Sequence, residues 1–182
     1  LVDIEENTWN IDPEKIQRSI TNKTKAIIVV HAFGHSAKMD KILEIAKENN
    51  LYVIEDVAEA LGAEFENKKL GSFGHISCFS FFANKMLTCG EGGMALTFNR
   101  DLYEKMSSLR EYGRSKEEKY LYDDVGYNYR MTNMQAAIGV AQLENFEKIL
   151  NIRDKQFSLY YKLLSKVKNV IIVIFKILLI SF

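Results

Sequence analysis

Net charge is the first thing this sequence lacks: its 24 Lys and Arg residues are balanced by 24 Asp and Glu residues. With no basic field to gather phosphates, nucleic acid and anionic membrane are excluded as the natural partners. Cysteine is scarce. Cys78 and Cys89 make neither a disulfide framework nor a zinc pattern, so both are read as reduced thiols of a cytoplasmic protein. Cys78, inside "ISCFSFF", is expected in the core. Histidine is also scarce. His31 and His35 are four apart, but Gly34 and the β-rich "AIIVVHAFG" argue against the helix that a His pair of that spacing needs for zinc. No apolar run reaches the roughly 20 residues of a membrane span. The opening "LVDIEENTWN" is polar and acidic, unlike a signal peptide. There is no G-x-G-x-x-G after a strand and no Walker lysine motif, which counts against a nucleotide-binding module. Proline occurs once, at Pro13.

What is present is an ordinary globular composition, 47% hydrophobic and 26% charged, over 182 residues. Asp12 and Pro13 read as the N-cap and first residue of a short helix, "PEKIQRSI". "KAIIVVHAF" reads as a buried strand, "MDKILEIAKENN" as an amphipathic helix and "LYVIEDVA" as the next strand. "HISCFSFF" and "GMALTF" are further strands. "RDLYEKMSSLREYG" is a helix closed by Gly113 at C′. The mixed-sign run "RSKEEK" reads as a solvated loop or helix face. Thr132 and Gln135 have the spacing of a capping box at the head of "NMQAAIGVAQLENFEKIL", and another helix is expected over about 153–165. Strands alternating with helices predict an α/β fold with a mostly parallel sheet flanked by helices.

In such sheets ligands sit beyond the carboxyl ends of the strands. Asp56 follows "LYVIE", and Lys85 follows "CFSFF"; both are expected at one rim. Asp56 alone is explained by an N-cap or a salt bridge. One chemistry uses the pair: pyridoxal phosphate, whose aldehyde bonds a lysine while an aspartate holds the ring nitrogen protonated. Ser80 offers a hydroxyl to the cofactor's phosphate, and "CGEGG" a loop whose glycines let backbone pass close to the lysine turn.

The stretch "VIEDVAEALGAEF…KKLGSFGHISCFSFFANKMLTCGEGGMALT", followed by "GYNYRMTNMQAAIGVAQLE", resembles the DegT/DnrJ/EryC1/StrS family of sugar aminotransferases, fold-type I pyridoxal-phosphate enzymes. The resemblance implies that Lys85 is the cofactor lysine, Asp56 the partner of the pyridine nitrogen and Ser80 a phosphate contact. It places Glu59 beside the cofactor's phenolic oxygen, where a glutamate resembles the perosamine synthase branch that aminates a GDP-linked 4-keto-6-deoxymannose. It implies that Asn128 reaches across a dimer interface to the neighbouring protomer's cofactor phosphate. Bland readings stand beside these: a backbone contact for Ser80, a turn role for Asn128, a solvated charge for Glu59, simple packing for Tyr127 and Tyr129. Family members with His at the lysine position dehydrate, so Lys85 implies transamination. The expected reaction moves an amino group from an amino acid such as glutamate to a nucleotide-linked 4-keto-6-deoxy sugar. Family members are about twice as long. Residues 1–169 are therefore expected to be part of the cofactor-binding large domain, and 170–182 an aberrant apolar tail from a frameshift or a truncated small domain. Such a chain is expected to be inactive alone. The alternative is a non-catalytic remnant or a dimerising partner of an intact copy; a desulfurase ranks low because no cysteine is placed as its nucleophile.

Overall fold

The computed structural model of the chain describes residues 1–115, 117–118 and 120–168. The apolar tail over 170–182 lies outside the described residues, as do Lys116 and Lys119 of the mixed-charge run. The elements are α1 (Pro13–Ser19), β1 (Ala26–Val30), α2 (Met39–Glu48), β2 (Tyr52–Asp56), β3 (Glu64–Phe65), β4 (Lys68–Lys69), β5 (Ile76–Ser80), β6 (Gly93–Leu96), α3 (Arg100–Arg110), α4 (Asn133–Glu144) and α5 (Phe146–Leu164). Strands β1, β2, β5 and β6 form one sheet in that order; β1–β2 and β2–β5 are parallel and β5–β6 antiparallel. The expected mostly parallel α/β arrangement is therefore present.

Local chemistry explains most boundaries. Asp12 accepts the Glu14 N–H at the head of α1, where Pro13 has no N–H to leave unsatisfied. Thr132 and Gln135 form a reciprocal capping box on α4. The core lies on one side of the sheet, where Ile16 of α1 and Met39, Ile42 and Ala46 of α2 cover Ile27, Val29 and Val53. Strand residues alternate between faces. Ile28, Val30 and Tyr52 thus point the other way, and all three are exposed. The strand expected to be buried is covered on one side only.

Three further expectations are corrected. Cys78 is exposed and Cys89 buried. The period-2 alternation of β5 gives the covered face to Ser77 and Phe79, and Ser77 donates its hydroxyl to the Gly71 carbonyl at 2.6 Å. Helix α3 is capped at Glu111, so Tyr112, at φ 67°, takes C′ and Gly113 follows it at φ 70°. Gly113 is needed all the same, since a Cβ there would run into the Asp124 carbonyl. Finally, the helical stretch after Thr132 breaks at Asn145. Its side-chain amide donates to the Ala141 carbonyl at 3.0 Å, competing with the backbone ladder. Phe146 then turns toward Leu61 and Phe81, and α5 runs unbroken to Leu164. Among the described residues no helix is long and apolar enough to cross a membrane.

Candidate active site

The segment between β5 and β6 carries the amine. It leaves the sheet at Ser80 and returns at Gly93, and both ends are pinned to Phe81. The Phe81 N–H donates to the Gly92 carbonyl at 2.9 Å, while the Phe81 carbonyl accepts from Cys89 N–H at 2.9 Å and from the Thr88 hydroxyl at 3.2 Å. Phe81, Leu87 and Cys89 are buried together, with Leu61, Met131 and Phe146 packed around them. Lys85 sits at the apex, in a turn closed by its N–H on the Phe82 carbonyl at 3.0 Å. Buried anchors on both sides leave the lysine little freedom except along its own side chain, which is 22% exposed. Glycine is required where this segment rejoins the sheet. A Cβ on Gly93 would stand 2.6 Å from the Phe79 carbonyl oxygen, so the returning strand lies closer to β5 than a side chain permits. Buried Cys89 is one of the anchors.

Lys85 faces a hollow of about 500 Å³ lined by Glu59, Ser80, Asn84, Phe33 and Arg153, among others. Its ammonium nitrogen is 4.0 Å from Glu59 Oε1. The other Glu59 oxygen, Oε2, accepts the Phe33 N–H at 2.9 Å. Ser80 Oγ accepts the Phe82 N–H at 3.3 Å, which leaves its hydroxyl hydrogen to donate elsewhere.

Asp56 does not line this hollow. It closes β2 opposite Cys78, and Ser80, two residues beyond Cys78, shares the face of that pair. Its Oδ1 accepts the Ala58 N–H at 3.0 Å, the N-cap-like contact of the bland reading. Partial desolvation pushes the Cys78 thiol up, and the nearby Asp56 charge adds to that shift. Asp56 thus stands at the same strand-end rim as Ser80, on the open face of the sheet.

Asn128 is elsewhere. It is exposed and bridges antiparallel to Glu111, beyond the end of α3, and it does not line the hollow. Its neighbours Tyr127 and Tyr129 stack on each other with ring centroids 5.0 Å apart.

Sequence reasoning missed Phe33, Asn84 and Arg153. The rule that ligands gather at strand ends applies to β1 as well as to β2 and β5, so "HAFG" after β1 was a readable signal for Phe33. Asn84, beside the lysine, was readable too. Arg153 was not, because it enters from α5, far along the chain. Behind the rim lies a buried pair, His31 and Glu55, both fully inaccessible and 3.3 Å apart. Glu55 also accepts the N–H groups of Gly71 at 2.8 Å, Phe73 at 2.8 Å and Gly74 at 2.6 Å. Burial works to raise the Glu55 carboxyl, yet the His31 hydrogen bond and the three backbone donors together hold it below its ordinary value.

The donor set fits pyridoxal phosphate: a shielded primary amine on a doubly anchored loop, a carboxylate beside it, a serine hydroxyl and space for a ring. Comparison with known proteins points the same way. Over 169 residues the chain is 48% identical to a GDP-perosamine synthase of Caulobacter vibrioides, covering 93% of this chain and 46% of that one. It superposes with a TM-score of 0.87 on Helicobacter pylori PseC, an aminotransferase involved in the biosynthesis of pseudoaminic acid, at 30% identity over 92% of this chain and 46% of that one. It matches an E. coli GDP-4-keto-6-deoxy-D-mannose-3-dehydratase solved with bound hydrated PLP, with a TM-score of 0.83 at 30% identity, covering 91% and 47%. The chain spans about half the length of the relatives it matches. Residues 1–176 match the DegT/DnrJ/EryC1/StrS aminotransferase family, and the chain belongs to it.

Proposed function

We propose that this chain carries the lysine side of a pyridoxal-phosphate-dependent sugar aminotransferase, one that transfers an amino group, with glutamate as donor, to a nucleotide-linked 4-keto-6-deoxy sugar. The observation that carries the reading is Lys85: a shielded amine on a doubly anchored loop, facing Glu59 in a hollow that Ser80 also lines. Pyridoxal phosphate, when bound, supplies an aldehyde that captures amines and a ring that accepts the electrons left when a proton departs from the neighbouring carbon. Lys85 would hold it covalently and, once freed by the donor amine, move that proton. Ser80 would donate its hydroxyl hydrogen to the phosphate. Asp56 would serve the ring nitrogen from the end of β2, and Glu59 the phenolic oxygen. Asn128, exposed and outside the hollow, suits a role toward a neighbouring protomer's phosphate in a homodimer.

The identity to GDP-perosamine synthases supports a GDP-linked 4-keto-6-deoxymannose as the sugar. We place the reaction in the cytoplasm, where both cysteines stay reduced. For the 182-residue chain alone we expect weak cofactor retention and no turnover. The reading is tested by incubating the chain with pyridoxal phosphate, reducing with borohydride and mapping the modified lysine by peptide mass spectrometry. The label is expected on Lys85 and absent from Lys85→Ala; a label confined to other lysines overturns it.

A further inference from the structure

Phe33 is held in an unusual backbone conformation. Its φ of 52° is left-handed, and Gly34 follows at φ 84°. A left-handed aromatic is strained, so something must hold it there. Asn10 and His31 do. The Asn10 side chain, 2% exposed, brackets the turn: its Oδ1 accepts the Ala32 N–H at 3.0 Å and its Nδ2 donates to the His35 carbonyl at 3.1 Å. Fully buried His31 accepts the Ala37 N–H on Nδ1 at 3.2 Å, so Nε2 carries the hydrogen and donates to Glu55. The His31 backbone N–H extends the β1–β2 ladder to the Asp56 carbonyl at 3.1 Å. This buried clamp faces the Phe33 N–H toward Glu59 Oε2, and so leaves Oε1 facing Lys85.

We infer that Asn10 and His31 are positioning residues that fix the carboxylate of Glu59 beside Lys85, acting through the left-handed turn at Phe33. The role for catalysis rests on the aminotransferase reading; the link from Asn10 to Glu59 does not. The turn divides the two oxygens of Glu59 between separate tasks. One takes a backbone donor whose direction cannot vary while Asn10 and His31 are in place. The other is left to the amine and to what binds there. Other charged groups around Glu59 are Arg153 in the same hollow, Glu147 and Asp154 in the adjoining one, and Asp56 at the base of the Glu59 turn.

The test is an amide titration of the ¹⁵N-labelled chain. A backbone N–H on a carboxylate shifts downfield as that carboxylate ionises, so the Phe33 amide is expected to titrate with pH and to lie flat in Glu59→Gln. Asn10→Ala is expected to lose at least half of that excursion and to raise Phe33 hydrogen exchange about tenfold, with α2 amides unmoved. Asn10→Asp keeps an acceptor for Ala32 and is expected to lose less. Phe33→Gly keeps the N–H, relieves the left-handed strain and is expected to keep the excursion. Full excursion in every folded Asn10 variant, or a flat Phe33 amide in the unsubstituted chain, overturns the inference. Borohydride labelling with pyridoxal phosphate separates the two claims. No label at Lys85 beside a titrating Phe33 removes the cofactor reading alone, and a labelled Lys85 beside a flat Phe33 removes the positioning alone.

Discussion

Glu55→Gln is the substitution whose consequence the structure fixes most tightly. Each oxygen of Glu55 accepts two N–H groups: Oε1 those of Phe73 and Gly74, Oε2 those of Gly71 and the His31 ring. A glutamine amide turns one oxygen into a donor, and either orientation sets it against two N–H groups at a fully buried site. Hydrogen bonds to a charged acceptor are worth about 1.5–3 kcal/mol each, and breaking a buried network on one side costs about 3–5 kcal/mol. Relief from burying a charge offsets part of this, so the expected loss is about 3 kcal/mol. That is a large share of the 5–15 kcal/mol typical of a domain. Urea unfolding followed by circular dichroism should show the midpoint falling at unchanged slope. The pH dependence follows from the same contacts. With its folded carboxyl held below the ordinary value, Glu55 contributes stability above its unfolded value. That contribution is lost as pH falls through the folded value, and Glu55→Gln should lack this acid limb. A glutamine variant within about 1 kcal/mol of the parent, or one with the same acid limb, would refute the account of the pair.

Other outcomes follow from single sites. Gly113→Ala, placed at φ 70° against the Asp124 carbonyl, should cost about 1–3 kcal/mol by urea unfolding. Thr132→Ala removes an exposed capping box and should cost about 1 kcal/mol, with helix content by circular dichroism otherwise kept. Timed iodoacetamide labelling should modify Cys78 in the folded chain, more slowly than a free thiol at neutral pH because desolvation and Asp56 raise it. Asp56→Asn should speed that reaction, and Cys89 should react only on unfolding.

The order of strands and helices was legible because apolar periodicity and caps were strong at Asp12, Thr132 and the "YVIED" strand. Which face each strand covers was not, since Ile28 and Val30 look as apolar as Ile27 and Val29. Only the packing of α1 and α2 on one side separates them. Cys78 was misplaced for the same reason: an apolar run conceals its own alternation. The break at Asn145 was hidden because asparagine is tolerated inside a helix until its side chain finds the Ala141 carbonyl. Of the residues expected at the site, Glu59, Ser80 and Lys85 share one hollow, Asp56 stands at the adjoining strand end, and Asn128 lies apart. The clamp of Asn10 and His31 gave no local signal, because its partners are distant in the chain and are mostly backbone groups.

The central claim is that the amine of Lys85 is the cofactor's point of attachment. Borohydride reduction in the presence of pyridoxal phosphate, read lysine by lysine, tests it most directly. The account predicts a phosphopyridoxyl mark on Lys85 that appears at lower cofactor concentration than on any exposed lysine. Modification scattered over surface lysines, with Lys85 untouched, would contradict it.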